Sequence, residues 1–201
     1  MTPAPNRSAR GLVGETVGVE FDVVVLAGGA SARFGGVDKA LVRVDGVTLL
    51  DRVLRATNLA SSTVVVGPGR EVCREVDWAV EEPPAGGPVA GIAAGLGNGE
   101  AAVVVVVSCD LPWLTEAAVA SLVAGVGEHD GYGLRDSGGR EQWLAAAYRR
   151  TALSAAVEAL GDPRNQSVRR LFAGLDLSWS EPTSTADDAD TWADLTPPAR
   201  P

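Results

Sequence analysis

Histidine, cysteine and methionine are scarce in this sequence, with one, two and one residues among 201. The single histidine, His129, sits beside Asp130 and Gly131, a loop setting that gives a histidine-dependent mechanism little support. Cys73 and Cys109 are far apart, lack the paired spacing of a zinc site and are too few to frame a disulfide-stapled fold, a pattern that fits a reducing cytoplasm. Cys109 has no neighbouring His or Lys to activate it and reads as a buried structural thiol. Aromatic residues make up 5%, and the five tryptophans are scattered, as core or pocket wall rather than as a stacking platform. Positive charge is also short: 17 Lys and Arg against 26 Asp and Glu leave a formal charge of -9. That balance opposes nucleic acid or an anionic membrane as a partner, so an anionic substrate must be held by a few local cations. The longest block of one apolar type, Val103 to Val107, is far too short to span a bilayer. Residues 1–19 are polar and rich in Gly and Pro, without a signal peptide's apolar region, and are expected to form a flexible leader.

What is present is apolar bulk in a patterned order. With 46% hydrophobic and 21% charged residues, the chain can bury a sizeable core, and we expect one domain over residues 20–196 with a Pro-rich tail at 197–201. Strand-length apolar runs alternate with stretches of helical period, the mark of βαβ units. Strands are expected at Phe21 to Leu26, Thr63 to Val66, Trp78 to Val80 and Ala102 to Ser108, the last of them central. Tyr132 to Leu134 and Gln142 to Tyr148 flank a Ser137-Gly138-Gly139 turn and are expected to form a hairpin. Helices are expected from Leu49 to about Leu59 with Thr48 as N-cap, from Pro88 to Leu96, from Thr115 to about Val123, near Thr151 to Leu160, near Ser167 to Phe172, and briefly after Thr191. The fold class is therefore α/β: a single-domain, three-layer, mostly parallel, Rossmann-like sheet with a small β-hairpin insertion.

The chemistry starts after the first strand, where an open α/β sheet puts its ligand crevice. Leu26-Ala27-Gly28-Gly29-Ala30-Ser31-Ala32-Arg33-Phe34-Gly35-Gly36-Val37-Asp38-Lys39 follows it directly. Adjacent glycines can expose consecutive backbone amides as a concave anion site, Ser31 adds a hydroxyl, and Arg33 and Lys39 add positive charge. The combination suits a triphosphate, although a Gly-rich turn by itself is as compatible with a tight connection. It is not a P-loop, because Lys39 is followed by Ala40, and it is not the dinucleotide fingerprint, because Gly28 and Gly29 are adjacent with no third glycine at the required offset.

The order Leu26-Ala-Gly-Gly-x-Ser-x-Arg-x-Gly, then Asp38-Lys39-Ala40, resembles the signature of the MobA-like nucleotidyltransferases, and within them most the guanylyltransferases that mature molybdopterin. The resemblance runs through most of residues 21–195. Gly87-Pro88-Val89-Ala90-Gly91 is similar to the family's Gly-Pro-Leu-Ala-Gly, and Cys109-Asp110-Leu111-Pro112 to its Cys-Asp-Met-Pro. Gln142 and Tyr148 fit a Gln-Pro-Leu-x-x-x-Tyr segment in which Trp143 replaces Pro, and the stretch Asp188 to Leu195 is similar to the family's late acidic motif.

This resemblance implies Arg33, Lys39 and Asp110 as catalytic residues. It implies Leu26, Ala27, Gly28, Gly29, Ser31, Lys39, Gly67, Glu81 and Asp110 around the nucleotide, and Mg²⁺ on Asp110 and Asp190. The residues alone leave alternatives open. Asp110 ends the most apolar strand, where metal ligands gather, but a turn or cap aspartate before Leu111-Pro112 is an equal reading. Asp187, Asp188 and Asp190 also make an ordinary solvated acidic loop, and Glu81 suits a surface strand end as well as a nucleotide contact. The implied reaction is in-line attack by the phosphate of molybdopterin on the α-phosphorus of GTP, releasing pyrophosphate. The acceptor phosphate is already anionic, so positioning and charge neutralisation carry the catalysis. Transient contact with molybdoenzymes or cofactor-biosynthesis proteins is a further implied partnership. The family's Asn after the second strand has no counterpart in Val66-Gly67-Pro68-Gly69-Arg70, so a cytidylyltransferase for molybdopterin or another small phosphorylated acceptor is the first alternative. A non-catalytic nucleotide-binding regulator is the second.

Overall fold

The computed structural model describes residues 19–28, 37–82, 84–189 and 191–196. Among them, seven strands form one sheet and two more form a separate hairpin. The chain runs β1 (Phe21–Leu26), β2 (Arg43–Val44), β3 (Val47–Thr48), α1 (Leu49–Ala56), β4 (Ser62–Val66), β5 (Asp77–Ala79) and α2 (Pro88–Gly95). It continues through β6 (Val103–Ser108), α3 (Glu116–Gly125), β7 (Gly131–Arg135), β8 (Glu141–Arg149), α4 (Arg150–Leu160), α5 (Val168–Phe172) and β9 (Leu177–Pro182). The sheet order is β5-β4-β1-β6-β8-β7-β9. β5, β4, β1 and β6 are mutually parallel; β8 is antiparallel to both β6 and β7, and β9 returns parallel to β7. This is the mostly parallel α/β architecture expected from the pattern of runs.

Strand alternation builds the layers. Val23 and Val25 of β1 point to one face, where Leu50, Val53 and Leu54 of α1 and Val119 and Leu122 of α3 cover them. Val24 points to the other, under Val89 and Ile92 of α2, Leu153 of α4, and Leu171 and Phe172 of α5. On that second face Tyr148 stacks on Phe172 with ring centroids 4.6 Å apart. α2 lies close because its helix is glycine-bearing: a Cβ at Gly95 would stand 2.5 Å from Val24 Cγ1, and one at Gly91 3.0 Å from Leu26 Cδ2. The glycines that weaken helix propensity here allow close helix–strand approach.

The local start signals work as read. Thr48 accepts from the Asp51 amide at 3.0 Å to cap α1, and Thr115 accepts from the Ala118 amide at 3.1 Å to cap α3. The hairpin expected across the Ser137-Gly138-Gly139 turn forms as β7–β8, and β8 also pairs with β6 through Val103↔Arg149 to Val107↔Ala145, so the hairpin is part of the main sheet. Two elements go beyond the expected ones. The small separate hairpin is β2–β3, turned by Asp45 and Gly46 with φ of 51° and 79°, a two-residue turn with both central residues left-handed. The other is β9, which is not among the strands expected from sequence. No helix among the described residues is long and apolar enough to cross a membrane.

At the amino ends of β1 and β6 the chain is held by a buried ion pair. Asp22 Oδ2 accepts from Arg150 Nη2 at 2.5 Å and from the Ala101 amide at 2.8 Å, while the guanidinium also donates to the carbonyls of Ala101 and Leu96. Removing one partner leaves the other charged and buried, so Asp22→Ala is expected to lower the unfolding free energy by about 3 kcal/mol in denaturant titration. A double Asp22→Leu, Arg150→Met variant should recover much of that loss. An Asp22→Ala variant as stable as the parent would mean that water replaces the carboxylate at no cost.

Candidate active site

Parallel alignment of β1, β4 and β6 brings their carboxyl ends to one lip, and a cavity of about 460 Å³ opens there. Leu26, Ala27 and Gly28 leave β1, Val66 ends β4, and Ser108, Cys109 and Asp110 leave β6. Gly87, Pro88 and Gly91 of the α2 entry form one wall, and Glu81 and Leu144 also line the space. Hydrogen bonds prolong the strand ladder into this lip: Ala27 N–H donates to the Val66 carbonyl at 2.8 Å, and Cys109 N–H to the Leu26 carbonyl at 3.0 Å.

Lys39 reaches the cavity from a short 3-10 turn, Lys39–Leu41. Asp38 caps that turn, its Oδ1 accepting from the Ala40 amide at 3.1 Å. Lys39 Nζ donates to Asp110 Oδ2 at 2.6 Å, with both side chains mostly buried. It is the only lysine in the chain. Asp38 is gripped in turn by Arg70, whose Nε donates to Oδ2 at 2.7 Å and Nη2 to Oδ1 at 3.1 Å. Arg70 has no role assigned from sequence, and Asp38 enters there only within the Asp38-Lys39-Ala40 motif. An arginine four residues beyond β4 carries no local mark, because its partner lies 32 positions away.

Of the residues implied by resemblance, Leu26, Ala27, Gly28, Lys39, Glu81 and Asp110 are brought to this one cavity. Gly67 stands just behind it. Its φ is +147°, and a Cβ there would meet the Ala27 carbonyl oxygen at 2.8 Å and its carbon at 2.9 Å. Gly29, Ser31, Arg33 and Asp190 lie outside the described residues. Asp188 lines a separate cleft of about 430 Å³ with Trp113, Asp136, Ser137, Arg140, Asp187 and Asp194. The two clefts are joined through the backbone, since Ala189 N–H donates to the Asp110 carbonyl at 2.9 Å. Among the described residues no three His, Cys, Asp or Glu side chains gather as a metal cage.

Two side chains bear on the chemistry. Burial, followed by the neighbouring Asp110 charge, pushes the Cys109 thiol up to about 12, so it stays protonated at neutral pH and is no nucleophile. Glu81 has a buried Oε2 with no hydrogen-bond partner among the described residues. A Cβ at Gly28 would stand 3.4 Å from Glu81 Oε1, so the backbone of Gly28 and this carboxyl group are close neighbours. A buried acceptor left open in a cavity wall is a place for a ligand's donor. His129 is paired with Asp176 at 2.9 Å and does not line the cavity.

Comparison with known proteins follows the same lines. Residues 23–180 match the model of the MobA-like NTP transferase domain. A molybdenum cofactor guanylyltransferase of a Shewanella species is 29% identical over 130 residues, 62% of this chain and 66% of that protein, so the match spans just under two thirds of that relative's length. A probable molybdenum cofactor guanylyltransferase of Natronomonas pharaonis is 34% identical over 150 residues, 68% of this chain and 72% of its own. Among solved structures, molybdopterin-guanine dinucleotide biosynthesis protein A of Archaeoglobus fulgidus superposes with a TM-score of 0.66 at 21% identity, covering 87% of this chain and 94% of that one. It shares the fold.

The close approach at Gly67 gives a test of the lip itself. Gly67→Ala forces the Ala27 carbonyl away from β4, and the expected cost is about 1–3 kcal/mol in denaturant unfolding. Unchanged stability would show that the two strand ends are not in this contact in solution.

Proposed function

The chain belongs to the MobA-like NTP transferase family, and from that premise we propose that it transfers GMP from GTP to molybdopterin with release of pyrophosphate. The observation that carries this reading is the cavity at the strand lip that unites Lys39 and Asp110, the two charged ends of the family-like motifs, at 2.6 Å. We take residues 20–196 as the unit that does this chemistry, in the cytoplasm, where its two cysteines stay free thiols.

In the proposed reaction an oxygen of the acceptor phosphate attacks the α-phosphorus, a new P–O bond forms, the bond to the β-phosphate bridging oxygen breaks, and pyrophosphate leaves with the electron pair. The amides of Ala27, Gly28 and Gly29, with Ser31, receive the phosphates, and Lys39 and Arg33 neutralise charge that builds on the leaving group. For Lys39 this means turning its ammonium from Asp110 to the triphosphate.

The donor set fits a divalent cation such as Mg²⁺. Asp110 offers a carboxylate in the cavity, and its backbone carbonyl accepts from the Ala189 amide. Mg²⁺ is held by one or two carboxylates plus substrate phosphates and water rather than by a protein cage. Asp110 and Asp190 would hold the ion, whose contribution when bound is to neutralise and orient the phosphates.

Guanine is supported by Glu81. Its N1–H and 2-amino groups are adjacent donors that a carboxylate can accept together, and they would satisfy the open Oε2. Cytosine offers only its 4-amino group on that edge. The second reading, a cytidylyltransferase, is favoured by the absence of an Asn in Val66 to Arg70.

Three variants test the roles assigned. Lys39→Ala is expected to cut NTP-dependent pyrophosphate release by at least about tenfold, ~1.4 kcal/mol of transition-state stabilisation, without loss of solubility. Asp110→Asn should raise the Mg²⁺ concentration needed for half-maximal rate, and wild-type rates and metal response in both variants would remove these residues from the site. Glu81→Gln should lower kcat/KM for GTP by about tenfold or more and narrow the preference of GTP over CTP. An unchanged GTP-to-CTP ratio would place base recognition elsewhere.

A further inference from the structure

Arg70 stands at the meeting point of the strand lip and the segment that delivers Lys39. Its guanidinium donates from Nε and Nη2 to the two oxygens of Asp38, from Nη2 to the Ala27 carbonyl at 3.0 Å, and from Nη1 to the Pro68 carbonyl at 2.9 Å. The side chain is only 8% exposed. Ala27 directly follows β1, Pro68 closely follows β4, and Asp38 caps the turn that carries Lys39. Charges of alternating sign therefore cross the lip in the order Arg70, Asp38, Lys39, Asp110, and the last of these ends at β6. The ends of β1, β4 and β6 are all tied into this chain.

We infer that Arg70 is a positioning residue that fixes Asp38 against the ends of β1 and β4, and so sets Lys39 opposite Asp110. It acts through Asp38 and does not touch substrate. The planar fork is required, because one group must meet both carboxylate oxygens and two carbonyls at fixed angles; a lysine ammonium at the same place has neither the reach nor the geometry. Once Asp38 is fixed, its cap on the Ala40 amide fixes the Lys39–Leu41 turn, and the Lys39 ammonium arrives from one direction only. Such preorganisation governs turnover, since a displacement of about 1 Å in a positioning group can cost on the order of a hundredfold in rate.

The consequence for turnover rests on the phosphate role proposed for Lys39, so the test has one arm that needs no nucleotide. Lys39 is the only lysine, and an amine-reactive succinimidyl ester followed by peptide mass analysis reads its acylation rate directly. In Arg70→Ala, Lys39 is expected to be acylated severalfold faster than in the wild type, because its approach to Asp110 is no longer held. In the second arm, Arg70→Lys lowers kcat/KM for the NTP by about tenfold while the thermal midpoint stays close to the parent's, and guanidinium ion at low concentration restores part of the turnover of Arg70→Ala. Asp38→Asn should show the same loss, and the Arg70→Lys, Asp38→Asn double variant no more than the larger single loss, as expected for two residues acting as one unit. Additive losses, or lost turnover with an unchanged Lys39 acylation rate, would mean that Arg70 acts by another route and would overturn the inference. A wild-type protein inactive with every NTP would sink the proposed function, and the acylation arm would then decide the role of Arg70 by itself.

Discussion

The contact of Lys39 Nζ with Asp110 Oδ2 at 2.6 Å exists because two parallel strands end together. β1 and β6 pair in register from Phe21↔Val103 to Leu26↔Ser108, so the segment leaving β1 and the aspartate leaving β6 open onto the same space. Parallel pairing demands crossover connections, and these supply the helices that bury both faces of the valine-rich strands. The apolar centre and the charged lip are thus one construction. The valines set the register, and the register decides which polar residues meet at the carboxyl end.

On the proposed function, a net negative chain that handles a polyanion must concentrate its cations. Lys39 and Arg70 stand at the strand lip, each held against a carboxylate. Pairing them with Asp110 and Asp38 keeps two cations oriented in a partly buried setting where unpaired charges would be costly. The far end of the sheet uses the same device for another purpose: Asp22 is more deeply buried than Asp38 or Asp110, its partner Arg150 bonds mainly to backbone carbonyls, and the pair serves the fold. Exposure to the cavity separates the two roles.

Much of the fold was legible because the signals are local. The valine runs marked β1, β4 and β6, and Thr48 and Thr115 announced their helices by hydroxyl caps within three residues. What escaped depends on distant partners. β9 is a short strand of mixed polarity that exists because β7 lies beside it, and the membership of β8 in the main sheet depends on its pairing with β6. The β2–β3 hairpin did carry a local signal, Asp45-Gly46 between valines, but four strand residues give little periodicity to read. At the site, the glycines, Lys39 and Asp110 stand in contiguous motifs. Arg70 and the open Oε2 of Glu81 acquire meaning only from burial and from neighbours far away in sequence.

The claim on which the account rests is that this lip passes a nucleotide to a phosphorylated acceptor. The direct measurement is to incubate the protein with Mg²⁺, molybdopterin and each of the four NTPs in turn, and to identify the product by mass while counting pyrophosphate released. The account predicts a guanine dinucleotide of molybdopterin from GTP, with one pyrophosphate for each product formed. A cytosine dinucleotide from CTP in its place, or no product with any NTP while the protein is folded, would contradict it.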